Sequence, residues 1–207
     1  MHTRTPTLRA VATAMTIGLL LAGCASPTVD AQWRNVELPA SYLRGATVLV
    51  SCETNELVLK QICEERVMAE LSARGATPVL PVPGTVAAAQ PGVADVQYLP
   101  AARDRGAKAV LSVSVGLSSQ SVSQGISIGI GGFGFGRNSA GGIGVSAPIV
   151  GGQVSSGYSA NGRVTDVASG RLMWTARAST PPSSDVNAQL ADLSRTVLDA
   201  ATKAGLF

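Results

Sequence analysis

The sequence has one histidine, His2, and it lies in a segment that reads as an export signal. A chain that loses it has no imidazole, which excludes Ser-His and Cys-His nucleophile pairs. No Ser-x-x-Lys occurs either, so the common lysine-activated serine pattern is missing. Aromatic residues make up only 4%, so a core must be built mainly from Val, Ile, Leu and Ala. Charge is sparse at 14%. Two of the 16 basic residues, Arg4 and Arg9, fall in the export segment, and the remainder nearly balances the 13 acidic ones. No Lys/Arg-clustered face of the kind that nucleic acid requires is present, and no nucleic-acid partner is expected. No acid occurs between Asp104 and Asp166.

That last absence bears on the glycine-rich stretch Gly125 to Gly152, which contains Gly129-x-Gly131-x-x-Gly134. A dinucleotide-binding turn needs a following helix and an acidic residue about twenty positions on. Phe135-Gly-Arg-Asn-Ser139 does not start a long helix, and the acid is missing. The stretch instead alternates, with Ile126, Ile128, Ile130, Phe133, Phe135, Ile143 and Val145 against Gly and Ser. This is a candidate hairpin with one apolar and one bare face. It has two readings: a weakly paired extension, since glycine raises the cost of ordering, or an element that inserts in a membrane or pairs with neighbouring protomers.

What is present most clearly is an address. His2, Arg4 and Arg9 form a basic start, and Ala10 to Ala22 is apolar apart from Thr13 and Thr16. That run is too short to cross a bilayer and suits a signal-peptide core. It ends in Leu21-Ala-Gly-Cys24, which closely resembles the bacterial lipobox. The resemblance implies cleavage after residue 23 and lipidation of Cys24. Stable anchoring takes more than one acyl chain, a condition that a diacylated, N-acylated cysteine meets. Ala25 and Ser26 follow, without the Asp typical of lipoproteins kept at the inner membrane. The expected location is the cell envelope, on the periplasmic side of the outer membrane.

The expected organisation is a signal peptide (1–23), a lipidated tether (24–43) and a single α/β domain (44–207) with a Gly-rich insert over about 117–156. The tether carries Pro27, Pro39 and one large apolar group, Trp33, a candidate to dock on the domain. Ala46–Cys52 reads as a buried strand. Asn55 offers an N-cap for a helix to Arg74, with Leu59, Ile62, Cys63, Val67 and Leu71 on one stripe and Gly75 as its stop. Thr77–Leu80 reads as an edge strand, because prolines flank and interrupt it. Pro100–Arg105 reads as a short helix, Lys108–Gly116 as the central strand, and Gly157–Val167 with Arg171–Ala178 as a hairpin turning at Ala168-Ser-Gly170. Ser183 or Ser184 caps a closing helix with Asp185 at its positive end and Lys203 at its negative end. The order β-α-β-α-β-(insert)-β-β-α predicts an α/β (α+β) fold, a small mixed sheet with helices packed on it.

"DRGAKAVLSVSVG", Asp104 to Gly116, is similar to the helix, Gly-Ala, strand step of curli-secretion and penicillin-binding-protein-activator lipoproteins. "YSANGRVTDVASGRLMWTARAS", Tyr158 to Ser179, resembles their hairpin, which turns after an Asp and returns through an aliphatic-Trp pair. A related family of uncharacterised lipoproteins shares the late Gly-rich stretch and the closing helix. The resemblance spans roughly residues 46–207. It implies a non-catalytic accessory, scaffold or export component that binds a periplasmic protein or the cell wall, with homo-oligomerisation as in the curli pore. Fold-level analogy transfers no activity by itself.

The remaining chemistry-bearing residues are few. Cys52 and Cys63 both face the strand–helix interface in an oxidising compartment. They form either a disulfide or two buried thiols, since helix rise separates them yet both point inward. Glu53, Glu56, Glu64 and Glu65 cluster around one helix start and read as a solvated face complementing the helix dipole. Asp166 reads as a turn residue bonding nearby backbone N–H groups, and Trp174 as core. No catalytic residue, metal ligand set or cofactor is expected.

Overall fold

The computed structural model describes residues 26–83, 95–122 and 154–207. Its strands are β1 (Thr28–Arg34), β2 (Thr47–Glu53), β3 (Thr77–Val79), β4 (Ala109–Val122), β5 (Val154–Asp166) and β6 (Leu172–Ser179). Its α-helices are α1 (Leu57–Ala73), α2 (Leu99–Asp104) and α3 (Val186–Lys203), with a 3-10 turn, Asp95–Tyr98, leading into α2. The six strands form one mixed sheet in the order β1-β6-β5-β4-β2-β3. β2 is parallel to β3 and β4, and the β4–β5, β5–β6 and β6–β1 pairs are antiparallel. This is the mixed α/β arrangement that the element order predicts.

Alternation along the strands sorts the two faces. On one, Val48, Val50 and Cys52 of β2, Leu111 and Val113 of β4, Val164 of β5, and Trp174 and Ala176 of β6 meet α1 and α3. Leu59, Cys63, Val67 and Leu71 of α1 and Leu190, Leu193 and Val197 of α3 complete this core. Each large aliphatic side chain buried here stabilises by roughly 1.5–3 kcal/mol. α3 approaches β5 closely at Gly162, where an added Cβ would lie 2.6 Å from Val197 Cγ1. The other face is half covered. Leu49, Val110 and Val167 pack under Tyr98, Leu99, Ala101 and Ala102. β4 therefore reads Val-Leu-Ser-Val-Ser-Val, because alternate residues meet a thick apolar layer and a thin, partly polar one.

Three boundaries differ from the sequence reading. The segment read as tether contains β1, which pairs with β6 from Thr28↔Ser179 to Arg34↔Trp174, and Leu38, Tyr42 and Leu43 are buried in the main core. All seven β1 residues are exposed, yet Val29, Ala31 and Trp33 alternate with Thr28, Asp30, Gln32 and Arg34, a strand period that the tether reading passes over. β4 continues to Val122 and β5 begins at Val154, so both ends of the segment read as an insert are paired strand; residues 123–153 lie outside the described residues. The helix caps also move. Glu56, not Asn55, is the N-cap of α1 and makes no side-chain cap bond. Asp185, not Ser183 or Ser184, caps α3 by accepting from the Ala188 backbone N–H at 2.9 Å. Ser183 instead accepts from Asp185 N–H.

Candidate functional site

The half-covered face of the sheet gathers most of the polar chemistry. Its centre is Asp95, which opens the 3-10 turn and is buried against the sheet. Ser112 of β4 donates to its Oδ1 at 2.5 Å, and Thr165 of β5 donates to Oδ2 at 2.6 Å. Arg163 Nε pairs with the same Oδ2 at 3.1 Å. A buried carboxylate is tolerated when it is paired and hydrogen-bonded in this way. The cluster pins the 3-10 turn over half of the polar face. Beside it Tyr98 donates to Glu53 Oε1 at 3.1 Å. Burial pushes the Glu53 carboxyl up, and the Asp95 charge adds to this, against the Tyr98 hydrogen bond and the Arg163 charge. The Tyr98 hydroxyl is pushed up to about 12, first by burial and then by the charges of Glu53 and Asp95, against a hydrogen bond from Ser51.

Beyond Glu53 the face is open. A cleft of about 360 Å³ runs over it, lined among others by Glu53, Asn55, Ser114, Ser159, Asn161 and Arg177. Strand alternation puts these side chains on one side. Ser114 pairs with Asn161, and Asn161 pairs with Arg177. Thr175 donates to Asn161 Oδ1 at 3.1 Å, and Arg177 stands 3.9 Å from Asp30 of β1. A second, smaller hollow of about 250 Å³ continues past Arg177 to Trp33, which pairs with Thr175 and is 49% exposed. The surface offers hydrogen-bond donors and acceptors, both signs of charge and one accessible indole face. Such a set can grip a polar partner and orient it.

Of the polar and aromatic residues singled out from sequence, Glu53, Asn55 and Trp33 reach this face. Cys24 lies outside the described residues. Cys52 and Cys63 are disulfide-bonded with Cα atoms 6.1 Å apart, inside the core behind the sheet. The helix lies alongside β2, so distance along its axis does not separate them. Glu64 pairs with Lys60 on α1. Asp166 accepts from Ser169 N–H at 2.7 Å, the local turn bond expected of it. Asp95, Asn161, Arg163 and Arg177 are the residues that sequence reasoning missed. The one available signal was serine and arginine at alternate positions of strands otherwise read as core. Among the described residues, no group of three or more His, Cys, Asp and Glu is placed to hold a metal ion. No helix among them is long and apolar enough to cross a membrane.

No protein-family model matches the sequence, and no curated protein matches it. Solved structures resemble it weakly. The PelC dodecamer from Paraburkholderia phytofirmans aligns with TM-score 0.47 and 16% identity, over 83% of this chain and 97% of that one. A point variant of that dodecamer gives the same TM-score over 82% and 94%. Lipoprotein GNA1162 from Neisseria meningitidis aligns with TM-score 0.39 and 14% identity, over 76% and 99%. At these TM-scores the likeness carries no argument about function.

Proposed function

We propose that this chain is a non-catalytic, lipid-anchored protein of the bacterial envelope that receives a periplasmic partner or the cell wall on the open polar face of its sheet. The observation that carries the reading is the continuous surface from Glu53 through Asn161 and Arg177 to Trp33. The lipobox-like Leu21-Ala-Gly-Cys24 supports the anchor, and the single histidine at position 2 supports the absence of nucleophile chemistry. The outer membrane is the expected site, since no Asp follows Cys24. In-cell photocrosslinking from Ser159 and Thr175 is expected to trap one partner species, and Trp33→Ala with Arg177→Ala to abolish the adduct. Unchanged adducts in the double variant, or turnover of an envelope substrate by the purified protein, would sink the reading.

A second reading is favoured by β1. It is an edge strand with all seven residues exposed, and an uncovered edge is a template for pairing with another chain. On this reading the protein is a homo-oligomeric export component whose copies associate along β1. A protein that stays monomeric in detergent at high concentration would remove it.

A further inference from the structure

The strand registers place several chain features at one end of the sheet. Thr28, Ser179, Ser159 and Gly116 form one row across β1, β6, β5 and β4. β2 ends beside this row, since Glu53 pairs with Ser114, and α1 starts four residues later. The β4–β5 ribbon runs past the row to Val122 and Val154. Half of the large exposed hydrophobic side chains among the described residues stand here: Leu57 at 70%, Val58 at 64%, Leu117 at 57% and Val29 at 44% exposure. The opposite end carries the exposed Val36 and the basic Arg105, Lys108, Arg171 and Lys203, whereas the exposed charges beside the four aliphatic side chains, Asp30, Glu56 and Asp185, are acidic.

We infer that this apolar end is the face that lies on the bilayer, an inference that rests on the anchoring of Cys24 proposed above. Only Ala25, Ser26 and Pro27 stand between Cys24 and Thr28. A fully extended link of four residues reaches roughly 14 Å. β1 runs about 20 Å down the sheet from Thr28. The end bearing Arg105 and Lys203 is therefore out of reach of a lipid attached at Cys24, and the end bearing Leu57, Val58 and Leu117 is held toward the membrane. Exposed aliphatic side chains gain from contact with acyl chains there, roughly fourfold in partitioning for each methylene buried. The short link keeps this end of the domain close to the surface, with the β4–β5 ribbon reaching furthest toward it. The open cleft, lined by Thr54, Asn55 and Gly116 at this same end, then faces the headgroup layer's edge.

The test uses the full chain, processed in a bacterial host and reconstituted in phosphatidylethanolamine–phosphatidylglycerol vesicles. Val58→Cys, Leu117→Cys, Arg105→Cys and Lys203→Cys each carry a nitrobenzoxadiazole label at an exposed position. Iodide is expected to quench labels 58 and 117 several-fold less than 105 and 203, and nitroxide-bearing lipid to quench them more. Wild-type protein that floats with vesicles while Cys24→Ser does not, with all four labels equally open to iodide, keeps the anchor and overturns the orientation. Labels 58 and 117 shielded from iodide but untouched by nitroxide lipid mean that protein covers them, which also overturns it. Wild-type protein that fails to float removes the anchor and this inference together.

Discussion

The Tyr42 hydroxyl donates a 2.5 Å hydrogen bond to Asp166 from 124 positions away in sequence. Asp166 also accepts from Ser169 N–H and Oγ in the β5–β6 turn. Lys108 sits 4.3 Å over the Tyr42 ring and donates to the Tyr42 carbonyl at 2.8 Å. The chain between β1 and β2 is thereby latched to the base of the hairpin. Partial burial acts to raise the Asp166 carboxyl, but the bonds from Ser169 and Tyr42 and the Lys108 charge outweigh it and hold it below its usual range. Burial, then Asp166 itself, push the Tyr42 hydroxyl well above its ordinary value.

Tyr42→Phe is expected to lower stability by about 1–2 kcal/mol at neutral pH, the range for a hydrogen bond to a charged group at a partly exposed site. The pH dependence has a definite sign. A carboxyl held low when folded contributes stability fully above its unfolded value, about 3.9, and loses it as pH falls through the lower folded value. The gap between wild type and Tyr42→Phe in urea midpoints is constant from pH 5 to 8 and narrows in the acid range.

Glu53→Gln is expected to act in the opposite direction. A carboxyl raised by folding contributes stability below its unfolded value, about 4.3, and loses it as pH rises through the folded value. At neutral pH the neutral isostere keeps an acceptor for Tyr98 without a desolvated charge. It is expected to stabilise by a few tenths to about 1 kcal/mol, damped because solvent still reaches this carboxylate. Thermal melts at pH 7 and below pH 4 check it, and the gain vanishes in the acid sample.

Gly162→Ala forces a methyl group against Val197 and is expected to cost about 1–3 kcal/mol. Val197→Ala in the same chain opens the space. The double variant is then less destabilised than the sum of the two single losses, a coupling that a double-mutant cycle in urea reads directly.

Trp174 is wholly buried, and its indole N–H has no partner among the described residues. Trp174→Phe removes that unpaired donor and keeps most of the ring, so the expected loss is under about 1.5 kcal/mol. Trp174→Ala leaves a cavity between β5, β6 and α3 and is expected to cost about 3–5 kcal/mol. Near-equal losses would mean that the indole N–H is satisfied.

Cys52 and Cys63 close a loop with a sequence separation of 11. Replacing both by Ala, which avoids leaving one thiol, is expected to lower stability by about 2–3 kcal/mol. Dithiothreitol shifts the wild-type midpoint toward that of the double variant and leaves the variant where it is.

The amino-acid pattern alone was sufficient for the elements with a strong local signal. The short β-rich run Ala46–Cys52 marks a strand buried on both faces, and Leu59, Cys63, Val67 and Leu71 carry the helical period of α1 in the residues themselves. The Asp166 turn and the closing helix are marked locally too. The expectation of lipidation at Cys24 rests on the lipobox-like Leu21-Ala-Gly-Cys24 alone, which lies outside the described residues. Only the tertiary structure decided that Thr28–Arg34 is a strand. Val29, Ala31 and Trp33 alternate along it, but all its side chains are exposed, and its order comes from backbone bonds to a strand 140 or more positions away, β6. It also decided that Asp95 meets Ser112, Arg163 and Thr165, and that Asn161 and Arg177 share a face with Trp33. Those neighbours lie up to 144 positions apart, and only the register of hydrogen-bonded strands brings them together.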